Sequence, residues 1–141
     1  MILYLDTSSL FKLFVREQGS QELERVTETA EAVTTSIIAY TEFRGSLARA
    51  ERAGRLKGGT YRQTLVQFER AWSRYSRVEL DESLVRSAGE LAARHFLRGL
   101  DAIHLASAIA LRSDLGQSLT FSTADDRLAA AAGAERLSVV A

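Results

Sequence analysis

Acidic residues of four separate segments stand near where an apolar run gives way to a helix, and carboxylates in such positions can bind metal ions or move protons. Asp6 follows Ile2-Leu3-Tyr4-Leu5, so a carboxylate ends what reads as a buried strand. Glu42 lies a turn and a half into a helix that follows a second strand, beside Phe43 and Leu47. Asp101 opens the most apolar helical segment in the chain. Asp125 and Asp126 follow a fourth strand at the start of a helix, where the macrodipole favours negative charge.

If these four segments meet, their carboxylates repel one another and take up protons unless a cation neutralises them, so the cluster implies a bound metal. The chain has no cysteine, and an all-oxygen donor set selects the hard ions Mg2+ or Mn2+. Such ions polarise a phosphoryl group and acidify the attacking water. The chemistry implied is metal-dependent phosphodiester hydrolysis. Each acid also has a local explanation: Asp6 and Asp101 as helix caps, Asp125 or Asp126 as dipole-compensating surface residues, Glu42 as an exposed helix position. Spacing alone leaves both readings standing.

The other chemical candidates are weaker. His104 sits one turn after Asp101 on a very apolar helix and reads as a packed residue with one nitrogen satisfied; His95 reads as an ordinary helix residue. They are not four apart, which excludes a two-histidine zinc site on one helix. A dinucleotide-binding turn would need glycine after the first strand, and residues 6–14 contain none. An aspartyl-phosphate phosphatase would need a second Asp where Ser8 stands.

The elements that must position the acids can be read from periodicity. Strands are expected at residues 2–5, 33–35, 78–80, 119–121 and 137–140. Ser20 is expected to cap a polar helix with Leu23, Val26 and Ala30 inward, and a longer helix runs from about Ile37 to about Ala53. Tyr61, Leu65, Phe68, Trp72 and Tyr75 recur at spacings of four and three, giving an amphipathic helix over 60–76 whose stripe reads as core. Asp81 caps a helix that Arg98-Gly99 ends, Ala102–Leu111 form a buried helix, and Thr123–Ala132 a last one closed by Gly133. Short strands separated by helices require crossover connections. The resulting fold class is α/β, a three-layer α/β/α sandwich around a short parallel sheet of about five strands, with ligands beyond the strands' carboxyl ends.

Composition sets the outer bounds. With 141 residues, 46% of them hydrophobic, the chain is expected to be one globular domain spanning 1–141. The absence of cysteine, of a leader and of a long uncharged stretch predicts a soluble cytoplasmic protein without membrane contact. Eighteen basic residues balance eighteen acids, but residues 44–77 hold nine basic residues against two acids, a local balance of +7. Arg44, Arg49, Arg52 and Arg55 are therefore candidates for contacting a phosphate backbone, with a solvated arginine face as the alternative.

Leu5-Asp6-Thr7-Ser8, then Ala39-Tyr40-Thr41-Glu42-Phe43-Arg44, then Leu100-Asp101-Ala102-Ile103-His104-Leu105-Ala106-Ser107-Ala108, then Phe121-Ser122-Thr123-Ala124-Asp125 occur in that order. This arrangement resembles the PIN-domain family and, more narrowly, the VapC-type toxins of bacterial toxin–antitoxin pairs. The resemblance implies an Mg2+- or Mn2+-dependent endoribonuclease with Asp6, Glu42, Asp101 and Asp125 as its acidic pocket, of which Asp6, Asp101 and Asp125 are the metal-binding members. It further implies that Ser8 and Thr123 orient the acids, that RNA is the substrate, and that a VapB-type antitoxin lays its tail over the cleft. A homodimer through exposed apolar residues of the early helices is likewise expected. The alternative is a member that keeps the fold but binds RNA or protein without turnover. Between the paired acids, Asp125 is expected in the pocket: Thr123 as N-cap would set Asp125 in the first turn on the side of Leu128, with Asp126 turned about 100° away.

Overall fold

Alternation along the first strand sets the layers. The computed structural model describes residues 1–140. β1 (Ile2–Leu5) is buried throughout, with Ile2 and Tyr4 packed into one hydrophobic cluster and Leu3 and Leu5 into another. A strand buried on both faces belongs in the middle of a parallel sheet. The sheet has five strands in the order β3-β2-β1-β4-β5, all parallel, with β2 (Ala32–Ser36), β3 (Ser76–Val78), β4 (Leu119–Ser122) and β5 (Ser138–Val140).

The helices divide between the two faces. α1 (Thr7–Lys12), α2 (Ser20–Thr29), α3 (Ala39–Arg52) and α4 (Thr60–Trp72) close over Leu3 and Leu5. α5 (Glu82–His95), α6 (Gly99–Leu115) and α7 (Asp126–Ala134) close over Ile2 and Tyr4. The result is the expected three-layer sandwich. In the first layer the aromatic stripe of α4 is core: Phe68 is fully buried and its ring stacks on Phe43 with centroids 3.7 Å apart and an interplanar angle of 11°. Aromatic burial of this kind dominates the packing energy of a layer. In the second layer α6 is buried along Ala102, Leu105, Ala106 and Ala108, as its uniformly apolar sequence requires.

Several boundaries differ from the sequence expectation. β3 lies at Ser76–Val78, two residues early, pairing Thr34 with Ser76 and Ser36 with Val78. It is an edge strand and mostly exposed, so burial leaves no pattern to locate it. α5 stops at His95, not at Arg98-Gly99, because Phe96 takes the left-handed C-cap position with φ 56°, and Gly99 opens the next helix. Gly19, at φ 90°, occupies the N-cap of α2 in place of Ser20, whose hydroxyl accepts a hydrogen bond from the backbone N–H of Glu17. The large exposed hydrophobic residues also fall elsewhere than expected. Among the described residues they include Val66 on α4, Val85 on α5, Phe96 and Leu100, and none lies on α1 or α2. Among the same residues no helix is long and apolar enough to cross a membrane.

Replacing Phe68 by Ala removes a fully buried ring from the first layer and should destabilise the fold by about 3–5 kcal/mol. Val66→Ala, two residues away on the exposed face of α4, should change stability by less than about 0.5 kcal/mol. Urea unfolding of the two variants checks both values.

Candidate active site

In an open parallel sheet the crevice forms where the strand order reverses, beyond the carboxyl ends of the strands. Here that point lies between β1 and β4, and the backbone N–H of Asp6 donates to Ser122 O across it at 3.1 Å. Asp6 is only 3% exposed. A buried carboxylate must have its lone pairs satisfied. Oδ1 accepts from Ser9 N at 2.9 Å, capping α1, and from the Ser8 hydroxyl at 2.7 Å. Oδ2 accepts from the Thr123 hydroxyl at 2.5 Å. The capping role and the site role of Asp6 therefore coexist in one side chain.

The two hydroxyls that hold Asp6 also hold the loop after β4. Ser8 Oγ accepts from Ala124 N and Thr123 Oγ1 accepts from Asp125 N, each at 3.0 Å. On its other side the Thr123 backbone N–H donates to Val140 O at the end of β5, at 3.4 Å. Thr123 is consequently not the N-cap of α7. Asp125 is, with Oδ1 accepting from Leu128 N at 2.8 Å. The choice between the paired acids is unaffected, since Asp125 lines the cavity described below and Asp126 does not.

Glu42, in the first turn of α3, is half-buried and its Oε1 accepts from the Thr7 hydroxyl at 2.6 Å and faces His104 Nε2 at 2.8 Å. Burial pushes its carboxyl pKa up, but the hydrogen bonds from His104 and Thr7 outweigh it and hold the group below the ordinary glutamate value. His104 has both nitrogens engaged, not one, because Nδ1 meets the Tyr4 hydroxyl at 2.8 Å. Asp101, in the first turn of α6, behaves in the opposite way to Glu42. Burial raises its pKa, and the negative charges of Asp125, Asp6 and Glu42 raise it further.

Asp6, Glu42, Asp101 and Asp125 line one cavity of about 490 Å³, together with Thr7, Ser8 and His104. Of the four candidate arginines only Arg49 reaches this lining. Arg44 is bound to the Tyr40 hydroxyl at 2.9 Å, Arg55 pairs with Glu17 at 3.0 Å, and Arg52 is exposed away from the cavity. Arg98, at the N-cap of α6, supplies a second positive side chain that the sequence reading missed. Thr7 was missed as well. The signal for Arg98 was its place three residues before Asp101, and for Thr7 its place directly after Asp6. A larger groove of about 690 Å³ between β3, α5 and α6 contains none of the four acids.

The donor chemistry suits a hard divalent cation. The donors are carboxylate oxygens, and at Asp101 the charges of Asp125 and Asp6 add to burial in raising the pKa. Among the described residues no group of three or more Asp, Glu or His side chains stands close enough to hold a metal ion by itself. Mg2+ in particular keeps several waters and uses one or two carboxylates together with substrate phosphate, which an open arrangement of this kind allows.

Comparison with known proteins agrees with the geometry. The family model described as PIN domain matches residues 3–134. Ribonuclease VapC45 of Mycobacterium tuberculosis (strain CDC 1551 / Oshkosh) is 36% identical over 110 residues, covering 78% of this chain and 76% of the relative. Ribonuclease VapC46 of M. tuberculosis (strain ATCC 25618 / H37Rv) is 34% identical over 139 residues, covering 99% and 96%. The crystal structure of VapBC-5 from M. tuberculosis, a member of the VapBC family of toxin-antitoxin systems, superimposes with a TM-score of 0.63 at 20% identity, covering 99% of this chain and 97% of that one. At that identity the likeness speaks for the fold alone. With a family model spanning almost the whole chain and relatives above a third identical, the chain belongs to the PIN-domain family, among the proteins called ribonuclease VapC.

Proposed function

We propose that the protein is a divalent-metal-dependent endoribonuclease acting as the toxin of a toxin–antitoxin pair. The observation that carries this reading is the meeting of Asp6, Glu42, Asp101 and Asp125 around one cavity at the switch point of the sheet. Asp6, Asp101 and Asp125, one or two of them directly and the rest through water, would hold Mg2+ or Mn2+, which when bound neutralises charge at the scissile phosphate and acidifies the attacking water. Ser8 and Thr123 keep the Asp6 carboxylate in one orientation through its two oxygens. Glu42, ionised and fixed by Thr7 and His104, faces the same space and accepts a proton or orients water there. Arg49 and Arg98 give the rim the positive charge needed to draw in an RNA backbone that the acids alone would repel.

The acidic cleft also suits a protein inhibitor. A VapB-type antitoxin that lays a basic side chain among these carboxylates would neutralise them and block substrate together; that the partner is of VapB type follows from the relatives named ribonuclease VapC. The exposed apolar residues Val85, Phe96 and Leu100 are the face on which we place a homodimer contact. The cysteine-free composition is consistent with a reducing, cytoplasmic setting.

RNA cleavage should require Mg2+ or Mn2+ and fall on the order of 10²-fold or more in Asp6→Asn and in Asp101→Asn, the scale for losing one preorganised electrostatic group. Metal titration with gel analysis of cleaved RNA measures this: full activity in excess EDTA would overturn the metal dependence, and no cleavage at any metal concentration would replace the nuclease reading by that of a binding domain without turnover. The raised pKa of Asp101 means that its ionised form costs stability above that pKa, a cost that disappears as pH falls through it. Without metal, Asp101→Asn should therefore raise the melting temperature at neutral pH and leave it unchanged below about pH 3, under the ordinary aspartate value, where the carboxyl is protonated in both states. Finally, Asp125→Asn should reduce metal-dependent cleavage sharply while Asp126→Asn changes it little, and the reverse order in initial-rate measurements would move the fourth acid to Asp126.

A further inference from the structure

Glu42 is the longest side chain of the acidic set and has the most rotamers to lose. It reaches the cavity from α3, while the other acids lie on short side chains at strand ends or helix starts. Something must hold its carboxylate still. Two donors meet Oε1, the Thr7 hydroxyl at 2.6 Å and His104 Nε2 at 2.8 Å, and Nε2 also lies 3.0 Å from Thr7 Oγ1.

Counting donors places a hydrogen on Nε2. An ionised carboxylate only accepts, so the nitrogen facing it must carry a hydrogen. Thr7 has one hydroxyl proton and gives it to Glu42, so its oxygen is free to take a share of the same Nε2–H. At the other end of the ring Nδ1 is 2.8 Å from the Tyr4 hydroxyl. Tyr4 is fully buried on the central strand, its ring stacked on Phe121 at 5.4 Å and 5°, and burial holds its hydroxyl in the protonated form. That hydroxyl can donate to Nδ1, which then accepts. A neutral imidazole with its hydrogen on Nε2 satisfies every partner.

We propose that His104 is a positioning residue: Tyr4 pins its tautomer, and its Nε2–H in turn fixes the Glu42 carboxylate toward the cavity. The ring is 1% exposed and both nitrogens are committed, so it does not exchange protons with substrate. The same α6 that carries Asp101 carries, one turn later and on the same side, the clamp for Glu42. Because Tyr4 belongs to β1, the immobility of the sheet centre is passed to the one acid that stands on a long side chain. The inference rests on the nuclease reading for its effect on rate, but not for the tautomer.

The test combines spectroscopy and kinetics. Long-range 1H–15N correlation spectra of the metal-free protein should show His104 protonated on Nε2 and bare on Nδ1, and Tyr4→Phe should blur that preference. With RNA as substrate, His104→Leu should lower kcat roughly 10- to 100-fold at little change in KM, the scale of one hydrogen bond to a charged group. His104→Gln, whose amide can still donate to Glu42, should recover part of the loss. In a Glu42→Gln background, His104→Leu should cause no further loss of kcat. A Nδ1–H tautomer, an unchanged kcat in folded His104→Leu, or additive losses in the double variant would each overturn the proposal. If His104→Leu fails to fold, the spectra and Tyr4→Phe decide. If the wild-type protein cleaves no RNA, the nuclease reading fails while the tautomer still tests the clamp.

Discussion

A carboxylate buried at the end of the central strand constrains nearly everything around it. Asp6 is out of solvent, and an unpartnered charge there would cost several kcal/mol. The chain meets this demand from three places: the first turn of α1 through Ser9 N, the hydroxyl of Ser8, and the hydroxyl of Thr123 from the far side of the switch point. Each partner is itself held. Ser9 bonds Ser122 between hydroxyls at 2.7 Å, Ser8 takes Ala124 N, and Thr123 takes Asp125 N. Satisfying one buried acid thus welds β1, α1, β4 and the start of α7 into a single polar knot, and the other acids hang from it.

The four acids are not equivalent. Asp6 and Glu42 are each held by donors from neighbouring elements, and for Glu42 these outweigh burial. Asp101 stands against burial and against the charges of Asp125 and Asp6 without comparable compensation. A set in which some members are locked and one is electrostatically uncomfortable has a standing affinity for positive charge, whether a cation, an arginine or a lysine of another chain. Arg49 and Arg98 line the same cavity, so that affinity is met at the rim without being quenched inside.

Much of this was legible in the sequence because it rests on apolar runs and on the polar residues that end them. The end of β1 at Asp6, the cap at Asp81, and the buried course of α6 are all local consequences of burial pattern and side-chain type. The features that escaped were set by tertiary partners. Thr123 looks like an N-cap, yet its hydroxyl is drawn away to Asp6, and the capping falls to Asp125. A left-handed C-cap suggests glycine, yet Phe96 takes it, 80% exposed, with Gly99 three residues on. β3 has one neighbour and little burial, so only its pairing with β2 reveals its register. Arg44 and Arg55 belong to the basic block by sequence but are spent on Tyr40 and Glu17. The position of His104 on an apolar helix hid its engagement at both nitrogens for the same reason.

The hydrogen bond from Thr123 N to Val140 O joins the end of β5 to the loop that carries Asp125. Since all five strands run in one direction, the amino end of β1 and the carboxyl end of β5 open onto opposite edges of the sheet. A peptide fused ahead of Met1 would start beside Glu31, which holds the terminal amine at 2.7 Å on the edge away from the acids. One fused after β5 would emerge one backbone hydrogen bond from the cleft. Affinity handles, fluorophores and tethered partners are therefore not interchangeable between the two ends: the first position leaves the cleft open, and the second makes the attached segment its neighbour.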